Sequence, residues 1–124
     1  MRGGVDNVEL GRRGEAVAVR LLKQNGYRIL DRNVRAKFGE IDLVARDGAT
    51  LCFVEIKARA SLRFGWPEEA VTPEKRWRLS RLAGWYLQAH RLESVPVRFD
   101  VVSILFGSEG SPVRTRLIKS AFDL

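Results

Sequence analysis

The chain has 124 residues and 45% hydrophobic content, enough for one compact domain with a buried core and too little for a second. Its 22 Lys and Arg against 15 Asp and Glu give a formal charge of +7 at pH 7, which suits a polyanionic partner, although a basic solvated surface gives the same count. A single cysteine, Cys52, and a single histidine, His90, exclude a disulfide framework and a Cys/His zinc cluster within one chain. No apolar run approaches the roughly 20 residues that span a bilayer, and residues 1–6 lack the apolar segment of a signal peptide, so a soluble cytoplasmic protein is expected.

Along residues 9–25, Leu10, Gly14, Val17, Ala18, Leu21 and Leu22 recur at three- and four-residue intervals, with Arg12, Arg13, Arg20 and Lys23 on the opposite side. This predicts an amphipathic helix stopped by Gly26, with Glu15 on the shoulder of its buried face. Residues 27–33 read as a short strand, and the basic stretch around Arg35, Lys37 and Gly39 reads as a loop. Residues 40–45 and 51–58 are rich in strand formers and flank Asp47-Gly48, a strong hairpin signal. After a loop with Gly65, Trp66 and Pro67, Thr72-Pro73 predicts a helix start that runs to about His90, with Leu79, Leu82, Ala83, Tyr86 and Leu87 on one side. Residues 97–105 read as a buried strand and residues 107–112 as a turn-rich loop, and residues 114–118 are a candidate edge strand. The order helix, three strands, helix, strand gives an α/β sandwich on a mixed sheet, with strand order open.

The hairpin carries the chemistry. Side chains alternate between faces along a strand, and residues directly opposite each other share a face. A loop of Asp47 and Gly48 alone pairs Arg46 with Ala49 and sets Asp42 diagonal to Glu55. A loop of residues 47–50 pairs Arg46 with Leu51 and sets Asp42 directly opposite Glu55. Both registers put the two carboxylates on one face, and Lys57, two residues beyond Glu55, joins them. Two carboxylates and an ammonium beside apolar residues are costly to desolvate unless something compensates. A hard divalent cation does so, since Mg²⁺ takes one or two carboxylates with water and substrate phosphate, and a nearby lysine can orient or deprotonate the attacking water. The alternative is a solvated set of cross-strand ion pairs, each contributing about 0.2–1 kcal/mol. Spacing alone leaves both open.

At these residues the sequence resembles the restriction-endonuclease-like superfamily, whose signature is an aspartate, a spacer, then (Asp/Glu)-x-Lys on adjacent strands. Here that is Asp42, then Glu55-Ile56-Lys57. More closely, it resembles the YraN family of small bacterial proteins, relatives of archaeal Holliday-junction resolvases. The match runs through Gly11-x-x-Gly14-Glu15-x-x-Ala18, Asn33-x-Arg35, Gly39-Glu40-Ile41-Asp42-Leu43-Val44-Ala45, Phe53-Val54-Glu55-Ile56-Lys57-x-Arg59, Phe64-Gly65, Ala70-Val71 and Lys75. The resemblance implies a restriction-endonuclease-like fold, a central mixed sheet flanked by helices. It implies Mg²⁺ or Mn²⁺ held by Asp42, Glu55, the Ile56 main-chain carbonyl and Glu15, with Lys57 as the catalytic lysine. The implied activity is metal-dependent cleavage of branched or structured DNA in recombination or repair. The competing class is a DNA-binding module that keeps the fold without cutting.

Around this set, Glu40 shares the face of Asp42 and is expected to pair with Arg35 rather than hold metal. Arg35, Lys37 and Arg59 flank the site as candidate phosphate contacts. Lys75, on the apolar side of its helix near the N-terminus, is a fourth, against a snorkelling alternative. Trp77 falls opposite the apolar stripe and is predicted exposed, which points to self-association, in keeping with the dimers of the resolvase relatives. His90 and Cys52 are expected to be structural. Neither a phosphate-binding Gly-x-x-x-x-Gly-Lys loop nor a dinucleotide-binding Gly-x-Gly-x-x-Gly is present.

Overall fold

Leu51, Cys52, Phe53 and Val54 form an uninterrupted apolar run, and a strand buries every residue of such a run only where both its faces are covered. The computed structural model, which describes residues 7–122, meets that demand with a five-stranded sheet between two helices. In chain order the elements are α1 (Asn7–Gln24), β1 (Arg28–Ala36), β2 (Gly39–Asp47), β3 (Thr50–Arg59), a 3-10 turn (Pro67–Ala70), α2 (Pro73–Ala89), β4 (Val97–Phe106) and β5 (Pro112–Ile118). The strands lie in the order β1-β2-β3-β4-β5, with β3 and β4 parallel and the other neighbours antiparallel. This is the expected α/β arrangement on a mixed sheet, α-β-β-β-α-β, completed by β5 as a second edge strand. Residues 1–6, read above for a signal segment, lie outside the described residues. Among the described residues, no helix is long and apolar enough to cross a membrane.

The two helices divide the core. Ala18, Val19 and Leu22 of α1 pack on Leu43, Ala45, Cys52, Val54, Val102 and Ile104. On the other face, Leu79, Leu82, Ala83 and Tyr86 of α2 pack on Leu51, Phe53, Phe99 and Val101. Consecutive residues of β3 and β4 thus feed opposite layers. Local signals set the helix ends: Gly26 at φ +85° turns the chain out of α1, while the Tyr27 N–H donates to the Leu22 carbonyl at 3.0 Å. At the start of α2 the Thr72 hydroxyl accepts from the Lys75 N–H at 3.3 Å, with Pro73 in the first turn.

Two expectations change. The stretch from Arg35 to Gly39 is not a loop: β1 continues to Ala36, which pairs with Gly39, and only Lys37 and Phe38 form the turn. Its charges line an edge strand, where they discourage pairing with another sheet, and they read as loop because half of such a strand faces water. Arg13 does not face solvent with Arg12. Its guanidinium lies over the Phe106 ring, 5.0 Å from the centroid, and donates to the Gly110 carbonyl between β4 and β5.

At Gly14, α1 lies so close to the sheet that an added Cβ would lie 2.9 Å from the Ala58 Cβ of β3. Gly14→Val is therefore expected to push α1 off β3 and lower unfolding stability by about 1–3 kcal/mol, measured by urea denaturation; unchanged stability would contradict this packing.

Candidate active site

The β2–β3 ladder pairs Asp47 with Thr50, Arg46 with Leu51 and so on to Leu43 with Val54, leaving Gly48, at φ +62°, and Ala49 as the turn. This is the second of the two registers, with one further pair closed next to the turn. Continued by one step, it sets Asp42 opposite Glu55. Simple alternation, however, is not what brings the residues together. Ile41 belongs to the layer under α2 and Leu43 to the layer under α1, although they are two residues apart. The alternation breaks at Asp42, whose Oδ2 accepts the Ile56 N–H at 2.9 Å. A side-chain oxygen replaces the ladder partner there, and the carboxylate is drawn into the sheet against β3.

Lys57 Nζ lies 3.0 Å from Glu55 Oε2, with side chains only 19% and 13% exposed. The surface pair Arg12–Glu9 is 76% and 48% exposed. The solvated ion-pair alternative therefore fails for this cluster, which is shielded on a scale that makes charge costly. Lys75 approaches from α2 and meets the Lys57 amine.

On the α1 side, a cleft of about 710 Å³ is lined by Glu15, Asn33, Glu40, Asp42, Ile56 and Lys57 among others. Glu15 shares this cleft with Asp42, but the amide of Asn33 engages both its carboxylate oxygens at 3.1 and 3.3 Å. Among the described residues, no three His, Cys, Asp or Glu side chains gather as a ready metal cage. Asp42 and Glu55 come together, and Glu15 is not brought into a triad with them. Asn33 was not singled out as a site residue; its signals were its place in the Asn33-x-Arg35 pattern and its tolerance of the left-handed backbone it adopts, φ +51°. Glu40 lines the cleft and pairs with Arg35 at 3.6 Å, as expected. Arg35 and Lys37 are exposed, whereas half-buried Arg59 donates to the Phe64 carbonyl at 2.8 Å. Cys52 is buried and His90 caps the end of α2.

Burial pushes the Asp42 carboxyl up, and the charge of Glu55 pushes it further, to about 8; the Ile56 N–H and Lys57 oppose this without cancelling it. Burial pulls the Lys57 ammonium down, but Glu55 outweighs it and holds Lys57 above its ordinary value. Lys75 is lowered, first by contact with the Lys57 amine and then by burial. The cluster thus sets an Asp42 carboxyl that resists ionisation beside Glu55, with the two lysines Lys57 and Lys75 next to them.

A mixed α/β sheet whose central hairpin holds paired carboxylates and a lysine is the class that fold and site define. The chain belongs to the UPF0102 family, the YraN family of the sequence patterns: residues 14–104 match the family described as "Uncharacterised protein family UPF0102". The UPF0102 protein of Syntrophus aciditrophicus is 48% identical over 118 residues, 95% of this chain and 91% of the relative. UPF0102 protein STH1475 of Symbiobacterium thermophilum is 50% identical over 113 residues, 91% and 95% of the two chains. That of Caldicellulosiruptor saccharolyticus is 45% identical over 114 residues, 92% and 97%.

Asp42 keeps its proton in the folded chain up to about pH 8, against 3.8 as its ordinary value. Between these limits the folded state binds more protons than the unfolded one, so this group lowers stability as pH rises through the window. Asp42→Asn keeps an oxygen for the Ile56 N–H and removes the charge. In metal-free buffer it is expected to raise Tm by about 3–8 °C near pH 8.5, a gain that disappears below about pH 4. Thermal melts followed by circular dichroism across this range check it, and a pH-independent effect would contradict the assignment.

Proposed function

We propose that the protein is a divalent-metal-dependent endodeoxyribonuclease acting on branched or otherwise structured DNA, in the manner of a recombination or repair resolvase. One observation carries the reading: the shielded Asp42 carboxylate is held by the Ile56 N–H against Glu55, with Lys57 3.0 Å from Glu55. Such a cluster is stable in ionised form only with a compensating cation, and hard oxygen donors of this type suit Mg²⁺ or Mn²⁺.

Asp42 and Glu55 would hold the cation, with the Ile56 carbonyl and Glu15, once released by Asn33, as further oxygen donors. When bound, the cation neutralises charge on the oxygens of the scissile phosphate. Lys57, charged beside Glu55, orients the attacking water through its N–H groups, and Lys75 contributes positive charge to the same phosphate. Arg35, Lys37 and Arg59 contact neighbouring phosphates, and the net charge of +7 favours the polyanion as a whole.

The direct test is cleavage of four-way, flap and linear DNA with Mg²⁺ or Mn²⁺. Wild type is expected to cut, and Asp42→Asn and Lys57→Ala to lose about 10²-fold or more in rate. A wild type that binds DNA and never cuts would establish instead a non-catalytic DNA-binding module. Metal binding must also displace the Asp42 proton below about pH 8. Calorimetric Mg²⁺ affinity is therefore expected to rise up to about tenfold per pH unit between pH 6 and 7.5 and to level off above 8. A pH-independent affinity would remove Asp42 from the ligand set.

A further inference from the structure

The outer face of α2 carries Trp77, Arg81 and Trp85 at four-residue spacing, and this face does not pack on the sheet. Trp77 is 61% exposed and Phe38, in the β1–β2 turn, 38% exposed. A single guanidinium joins them: the Arg81 Cζ lies 4.8 Å from the Phe38 ring centroid and 5.0 Å from that of Trp77. The arrangement is built rather than incidental. Gly39 lets the hairpin turn dock on α2, since an added Cβ there would lie 3.1 Å from Leu82 and 3.3 Å from Arg78. Two rings from distant segments are thus fixed beside one cation while large parts of both stay open to solvent.

Charge distinguishes the possible occupants. Lys37, next to Phe38, stands with Arg78 and Arg81 beside the rings, and the acid of the first turn of α2, Glu74, is paired with Arg78. In a symmetric contact between two copies the same patch meets itself, which brings these cations against their own equivalents. A nucleic-acid strand reverses that balance, since its phosphates meet the cations and its bases stack on the rings.

We propose that Trp77, Arg81 and Phe38 form a stacking platform for unpaired bases, so that the substrate class is DNA with single-stranded nucleotides flanking the cut. Phe38 precedes Asp42 by four residues, about 13 Å along an extended strand, and Lys75 stands two residues before Trp77 on the same helix. A strand with a phosphate at the Asp42 cluster therefore reaches the platform within a few nucleotides. For the cut this rests on the nuclease reading; for binding it does not.

The test measures anisotropy of labelled DNA in EDTA, where no cleavage occurs, with a blunt duplex and the same duplex bearing a ten-nucleotide thymidine tail. Wild type is expected to prefer the tailed duplex. Trp77→Ala and Phe38→Ala are each expected to weaken tailed binding by about 5- to 100-fold with blunt-duplex affinity little changed, and Trp77→Phe to restore most of it. Both side chains are exposed, and melting temperatures near wild type verify the fold. Tail-independent binding, equal loss on both DNAs, no DNA binding at all, or unchanged DNA binding with loss of a dimer in sedimentation would each overturn the platform; the last would assign the face to a second copy. A protein that binds tails through Trp77 but never cuts contradicts only the nuclease reading. One that cuts and ignores Trp77 contradicts only the platform.

Discussion

The hydrogen bond from the Ile56 N–H to the Asp42 carboxylate decides most of what is unusual in this molecule. It substitutes a side chain for a ladder partner, breaks the alternation of β2 between Ile41 and Leu43, and holds an acid beside Glu55 where burial and like charge disfavour ionisation. The rest of the fold supports that placement. The parallel β3–β4 pair, buried on both faces, fixes the strand that carries Glu55, Ile56 and Lys57. Gly14 lets α1 sit close over Ala58, which forms one wall of the cleft.

A fully buried aspartate elsewhere shows that the chain can satisfy such a group completely. Asp100 is 0% exposed, yet it accepts from Arg98 at 2.8 and 2.9 Å, from the Tyr27 hydroxyl at 2.7 Å and from the Ser120 N–H at 2.9 Å. Burial pushes its carboxyl up, but Arg98, Tyr27 and Ser120 more than compensate and hold it below the ordinary value. Asp47 extends this network by accepting from Arg98 and Lys119. Asp42 has one N–H and an opposing carboxylate instead. Environments that push two like groups apart in this way distinguish acids: Asp100 is a satisfied structural acid, and Asp42 is the one on which the proposed function rests.

How far the sequence could be read follows from the range of each interaction. The Thr72-Pro73 start of α2, the stop at Gly26 and the apolar run of β3 are local signals, and they mark the elements correctly. The hairpin turn limited Asp42 and Glu55 to two registers, and the one formed runs as far as Leu43 and Val54, one step short of them; the Ile56 N–H then draws the Asp42 carboxylate in. What remained hidden depends on contacts between distant segments. Nothing local tells that Arg35 belongs to an edge strand, that Arg13 turns inward onto Phe106, or that Asn33 takes hold of Glu15. The same holds for Glu68, which gathers Ser103, Arg114 and Arg116 from β4 and β5, and for the meeting of Phe38 and Trp77 on Arg81. Trp77 is exposed as its helical phase required, and the proposal of a strand of nucleic acid rather than a partner protein rests on its neighbours.

The central claim is that Asp42 and Glu55 form a cation site completed by substrate and by main-chain or side-chain oxygens nearby. Diffraction from crystals grown with Mn²⁺, recorded at an energy where manganese scatters anomalously, tests it most directly. The account predicts an anomalous peak about 2.1–2.2 Å from carboxylate oxygens of both Asp42 and Glu55, absent from crystals of Asp42→Asn. A fully occupied manganese elsewhere, or none at millimolar Mn²⁺ with DNA bound, would contradict it.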